Sequence, residues 1–293
     1  MHSEREEHSL SIQQDLLATD CGVDEDEADG KTIPRSQSRF DFWFPTWEVW
    51  RFRRTLSYWI AMMYLEGSIN FIIGAAFSMT NLTTQNHVFE KSLVGGPYFV
   101  GGVAFTIGSY AGMLEVINVP NKDDDGVTSY CFTGRAQWMK IREFLSWEPM
   151  LGYLSYMIGA ILFNVNTLAG FLSLSPLQAK LIEWLPAVLG SVFFTVGGVL
   201  ECYHNRVWHF KPHDSVHWLS LCNTVGALLF LFAATSGLVG VGGALSSKWM
   251  IDFTYLLGSI FFMVGAFLAL WMWKSEHYGL GLIRCGDSLS CPP

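Results

Sequence analysis

Gly101-Gly102-Val103-Ala104-Phe105-Thr106-Ile107-Gly108-Ser109 returns twice further along the chain. It reappears as Gly190-Ser191-Val192-Phe193-Phe194-Thr195-Val196-Gly197-Gly198 and as Gly258-Ser259-Ile260-Phe261-Phe262-Met263-Val264-Gly265-Ala266. Each copy is a small pair, an apolar and aromatic stretch, and a second small pair seven residues later. The segments that precede the second and third copies echo each other too, Ile158-Gly159-Ala160-Ile161-Leu162-Phe163 against Val225-Gly226-Ala227-Leu228-Leu229-Phe230. Recurrence of this kind reports architecture rather than a reaction. In lipid no hydrophobic drive brings helices together, so small residues mark where backbones approach closely. Gly101, Gly102, Gly108, Gly190, Gly197, Gly198, Gly258 and Gly265 are therefore read as helix-packing seams.

Outward from these seams the chain is membrane-like. Of its 293 residues 51% are hydrophobic, 15% aromatic and only 15% charged, against about 25% charged in soluble domains. Six stretches, near 56–79, 97–119, 150–173, 184–204, 216–240 and 249–273, are long and apolar enough to span, since crossing ~30 Å of hydrocarbon takes about 20 helical residues. The expected fold is all-α and integral to the membrane: six transmembrane helices arranged as three tandem hairpins. Each hairpin crosses twice, so all three share one orientation, which makes a parallel repeat rather than an inverted one.

The net charge of −8 sits almost entirely in residues 1–30, which hold ten acids and one base. Residues 1–38 are poor in apolar pattern and read as a disordered acidic tail. No basic region followed by an apolar core precedes the first span, so no cleavable signal peptide is expected. Of the 18 Lys and Arg, 15 fall on the side of the tails and even connections, and only Lys91, Lys180 and Lys248 on the other. Positive charge is retained on the cytoplasmic side, which predicts both termini in the cytoplasm without naming an organelle. Asn81-Leu82-Thr83, a weak glycosylation signal at Asn81, then lies outside. The six cysteines make no secreted disulfide framework, and thiols are expected.

Residues 39–54 interleave Phe40, Phe42, Trp43, Phe44, Trp47, Trp50 and Phe52 with Arg39, Arg51, Arg53 and Arg54. Aromatics and bases beside a span belong in the headgroup layer, where those arginines meet anionic inner-leaflet lipids rather than nucleic acid. The domain order that follows is hairpin 1 over 55–119 and a cytoplasmic loop with an amphipathic helix over 120–149. Hairpin 2 over 150–204, a loop over 205–215, hairpin 3 over 216–273 and a tail over 274–293 complete it.

Tyr64-Leu65-Glu66-Gly67-Ser68-Ile69-Asn70-Phe71-Ile72-Ile73-Gly74, led by Trp50 and Arg51 to Arg54, resembles the first helix of the YrhK-like membrane family. The stretch from Gly101 to Tyr110, with Leu114-Glu115-Val116-Ile117-Asn118, resembles its partner helix. The resemblance is best over 55–118, with 150–204 and 216–273 as degenerate copies. It implies a two-helix module and no chemistry.

Polar groups inside the spans carry the chemical signal, because an ionisable side chain in hydrocarbon is costly and usually faces the bundle. Glu66 and Asn70 lie one turn apart near mid-span, while Glu115 with Asn118 and Glu201 with His204 recur at i, i+3 near the cytoplasmic ends. These six form a candidate ion or solute site, with Glu66 expected to face the interior. Interhelical hydrogen bonding is the alternative, at roughly 0.6 kcal/mol per bond. His209, His213 and His217 are weak metal candidates, superficially similar to the His-x-x-x-His of a family of membrane hydrolases; interfacial histidines account for them as well. No cofactor is implied. A structural or interaction role ranks first, with a homo-oligomer open to it. An ion- or proton-coupled channel or transporter ranks second, and a histidine-metal hydrolase is the remote third.

Overall fold

The computed structural model describes residues 56–80, 87–117, 148–210, 213–240 and 244–275. Six long helices carry the fold: α1 Leu56–Ser78, α2 Gly96–Ile117, α3 Glu148–Ala169, α4 Leu185–His204, α5 Ser215–Val239 and α6 Ala244–Ser275. All six are long and apolar enough to cross a bilayer, and the described residues contain no strand. The protein is an all-helical, multi-pass membrane protein. The acidic tail, Asn81, Asn118, the 39–54 segment with its arginines and the 120–147 loop lie outside the described residues.

The connections leading into α2 and α4 are more helical than expected. His87–Phe89 and the π-helical Glu90–Gly95 lead into α2, and Pro176–Gln178 and the π-helical Ala179–Trp184 lead into α4. Ser175 starts the second of these with a capping box closed by Gln178, satisfying donors that lipid would leave unpaired. The wide turns occupy corresponding places before the two glycine seams, where an extra residue per turn shifts the helix face. Sequence periodicity carries no signature for such a turn.

Local chemistry sets both ends of α5. The Asp214 carboxylate accepts from Val216 N at 3.0 Å and caps α5, the usual role of Asp at a helix start. Gly240 ends α5 with φ 68°, a left-handed turn that glycine adopts without cost.

The helices close into a ring, each packed on the next, with α6 returning to α1. Tyr58 near the start of α1 meets Trp273 near the end of α6 with ring centroids 5.0 Å apart. The first helix therefore begins, and the last one finishes, at the same end of the bundle.

Glycines set how closely each hairpin packs. A methyl at Gly101 would lie 2.6 Å from a Phe71 ring carbon and 2.8 Å from the Gly67 carbonyl oxygen. In the second hairpin Gly159 and Gly190 face each other's carbonyls at 2.9 and 3.0 Å from such a methyl, and Gly226 and Gly258 do so at 3.0 Å in the third. Six glycines thus make three backbone crossings, and each is followed four residues later by a phenylalanine: Phe71, Phe105, Phe163, Phe194, Phe230 and Phe262. The side chain one turn on fills the space beside the crossing.

This geometry predicts that Gly101→Ala destabilises the bundle by about 1.5 kcal/mol, within the roughly 1–3 kcal/mol typical of overpacking. Gly152→Ala is the matched control, because its methyl would find its nearest neighbour, the Gly197 carbonyl oxygen, at 3.8 Å. There alanine should be neutral or gain up to about 1 kcal/mol of helix propensity. Unfolding by SDS titration in bicelles measures both; equal effects would mean that the crossing does not limit approach.

Candidate functional site

The six phenylalanines meet on the axis of the ring. Phe71, Phe163 and Phe230 form one triad, with ring centroids 6.4, 5.8 and 5.6 Å apart. Phe105, Phe194 and Phe262 form the second, at 5.8, 5.5 and 6.0 Å. The triads interlock through the pairs Phe71–Phe105, Phe163–Phe194 and Phe230–Phe262 at 5.2, 5.4 and 5.3 Å. Phe71, Phe194 and Phe230 are each 1% exposed. Offset and edge-on rings at these separations attract one another beyond simple contact.

A polar layer lies on each side of this plug. Toward the end of the bundle where α1 finishes, Tyr98 packs on Phe71 at 6.0 Å and Tyr255 on Phe230 at 5.1 Å. Nearby the Ser78 hydroxyl donates to Asp252 Oδ2 at 2.9 Å, pinning α1 to α6 where the ring closes.

The layer at the opposite end is richer, and Glu201 is its centre. The Tyr156 hydroxyl donates to Glu201 Oε2 at 2.7 Å, and the Asn223 amide reaches both carboxylate oxygens at 3.2 and 3.3 Å. Ser220 Oγ lies 3.2 Å from Glu201 Oε1 and 3.0 Å from the Val216 carbonyl, so its one hydrogen is shared between them. Asn205 donates to Ser220 Oγ at 2.8 Å, and the Cys202 thiol and Thr224 hydroxyl lie 3.0 Å apart. Tyr64 and Ser109 share a 3.0 Å hydrogen bond within the first hairpin. Together α3, α4 and α5 converge on one carboxylate, which can exchange a proton or hold a small cation between them.

The second small pair of each seam seats this layer. Gly108 lies against Tyr64, Gly197 against Tyr156 and Gly265 against Asn223. Tyr64, Tyr156 and Asn223 each precede the phenylalanine of their own helix by seven residues, hence the same face two turns away. Gly102 and Gly198 act between hairpins instead, against Asn164 and Thr224. The hydroxyls of Ser68, Ser109, Ser191, Ser220 and Ser259, all fully buried, lie within hydrogen-bonding distance of the carbonyl four residues back on their own helix. That arrangement leaves few hydroxyls needing a partner in an apolar interior.

The expected candidates separate in space. Glu66 is exposed on the outer face of α1, which corrects the expectation that it faces the interior. Gly67, Ser68 and Phe71 take the inward positions, and a residue preceding Gly67 is turned about 100° away from that face. Asn70 does not bond the Glu66 carboxyl; its amide donates to the Glu66 backbone carbonyl at 3.0 Å. Glu115 accepts from the Ser57 hydroxyl across α1 and α2. Glu201 bonds Tyr156 on α3 and Ser220 and Asn223 on α5, and His204 lies half-buried at the end of α4.

The histidines do not converge. His209 and His213 are exposed while His217 is buried, and among the described residues no three His, Cys, Asp or Glu side chains form a metal-binding group. His217 is 4% exposed in the first turn of α5, and its Nδ1 has no hydrogen-bond partner among the described residues. The corresponding position in α3 is the fully buried Met150. His217→Met should therefore retain the fold and gain up to about 1 kcal/mol, because an unsatisfied buried polar atom is removed. A clear loss of stability in the same SDS titration would assign the imidazole a bonding role.

Tyr156, Ser220, Asp252 and the phenylalanine plug were not singled out from sequence. The plug's visible signal is the glycine-to-phenylalanine spacing of four, present in every span, and that of Asp252 is its charge within the sixth predicted span. Comparison of the chain with protein-family models, curated proteins and solved structures found no match.

Proposed function

We propose that the chain is three copies of one two-helix unit closed into a ring, with both termini in the cytoplasm and a structural or interaction role in its membrane. On this reading the YrhK-like resemblance of residues 55–118 extends to 150–204 and 216–273. The 39–54 segment rests on anionic inner-leaflet lipids. The observation that carries the role is the axial plug: six interlocked phenylalanine rings separate the two polar layers. An ion in that position would lose its hydration with nothing polar to replace it. Purified protein in liposomes should pass no more protons or potassium than empty vesicles. Flux that rises with protein density and disappears in Glu201→Gln would overturn the role.

A gated, ion- or proton-coupled channel or transporter is the second reading, and the Glu201 seat favours it. There the plug is the gate and Glu201 the coupling group. Phe105→Ala combined with Phe194→Ala should then leak in the same vesicles, whereas under the structural role the variant stays tight or fails to fold. The hydrolase reading has no comparable support, since its histidines lie apart.

A further inference from the structure

We infer that the exposed Glu66 and Asn70 face of α1 is a dimer interface for a second copy of this chain. Glu66 is ten residues into the 23-residue α1, ~15 Å along it and so near mid-membrane. Its carboxyl has no hydrogen bond or ion pair to a described residue. Asn70 spends one amide hydrogen on the Glu66 backbone carbonyl, leaving a second hydrogen and the side-chain oxygen. Beside them stand Ile69, 41% exposed, and Ile73, 38% exposed. A carboxyl and an amide turned to hydrocarbon are costly, and polar side chains in spans act as glue between helices.

The other odd-numbered spans show what this face is without the pair. Counting from the plug phenylalanines, Glu66 corresponds to Ile158 in α3 and Val225 in α5, and Asn70 corresponds to Leu162 and Leu229. Those residues suit lipid. The polar pair is an addition to the first hairpin alone.

The chemistry selects the occupant. A basic partner helix would donate to the carboxyl and to the Asn70 oxygen but offer no acceptor for the second amide hydrogen. A second copy, related by a two-fold axis along the membrane normal, sets Glu66 of each chain at the same depth as Glu66 of the other and one turn, about 6 Å, from its Asn70. The two side chains span that offset between them, so that each Asn70 amide donates to the carboxyl of the other copy. One self-complementary patch per chain closes as a dimer rather than growing into a filament.

The experiment is single-molecule photobleaching of the full-length protein in liposomes, diluted progressively with lipid. Wild type should pass from dimer to monomer along the series. Glu66→Val combined with Asn70→Leu, residues borrowed from the corresponding positions, should weaken dimerisation at least tenfold, while Glu66→Gln stays close to wild type. Ile69→Cys should crosslink between copies in wild type and lose the crosslink in the double variant. A wild type that is monomeric throughout, or a double variant that dimerises as tightly, overturns the inference, as does a wild type that associates only with another, basic membrane protein. Loss of thermal stability in the double variant at a lipid dilution where wild type is already monomeric also overturns it, by showing that the face packs within the chain. The axial-plug reading stands or falls separately, because its vesicle flux measurement does not depend on oligomeric state.

Discussion

Alanine at Phe105, Phe194 and Phe262 together is expected to cost the bundle its fixed packing, and Phe194→Ala alone to destabilise it by about 2–3 kcal/mol. Phe194 touches Phe105, Phe163, Phe262 and Tyr156, so its loss removes contacts to rings from all three hairpins. The magnitude differs from that in a soluble core. When membrane helices separate, an aromatic side chain moves into lipid rather than water, so no large transfer term is lost. What remains is the cavity, and a void of ~100 Å3 at ~24 cal/mol per Å3 gives the figure quoted. SDS titration in bicelles reads the single variant; loss of the cooperative transition reads the triple. Phe193→Ala is the internal control, because Phe193 lies outside the buried core that contains its neighbour Phe194. If Phe193→Ala costs as much as Phe194→Ala, the axial plug is not what holds the three hairpins together.

Glu201→Leu is the second expected large effect, at about 2–4 kcal/mol. Leucine deletes the acceptor for Tyr156 and Asn223 and one of two acceptors for Ser220. Counting only bonds lost at the membrane average of ~0.6 kcal/mol each gives roughly 2 kcal/mol. Donors left without a partner cost roughly 1–3 kcal/mol apiece, which sets the upper end because Ser220 can turn back to Val216. Glu201→Gln keeps an acceptor oxygen and should cost less than half as much. A cycle with Tyr156→Phe separates the terms: the double variant should be more stable than the two single losses added together, since its unpaired hydroxyl is gone. Simple additivity there would show that the carboxylate and the phenol do not depend on each other.

Membrane class, helix number and approximate span limits were all legible before any fold was known. The reason is that lipid imposes one demand on every residue of a span at once. Backbone groups must bond within the helix and side chains must be apolar over about 20 residues, and both conditions are written locally. The seams were legible as well, since Gly101, Gly190 and Gly258 stand in one repeated pattern, although their partners Gly67, Gly159 and Gly226 were only partly visible. What local pattern does not carry is direction around a helix that is apolar on nearly every side. With little amphipathicity to read, Glu66 and Glu201 look alike as lone acids in spans. Only the packed ring separates them, turning Glu66 outward beside the inward Gly67 and bringing Tyr156, Ser220 and Asn223 from two other helices onto Glu201. The amino-acid sequence by itself determined that this chain has six helices long and apolar enough to cross a membrane, and where those helices can touch. Tertiary structure alone decided which carboxylate is turned inward and which is exposed, because that choice depends on contacts between residues far apart in the chain.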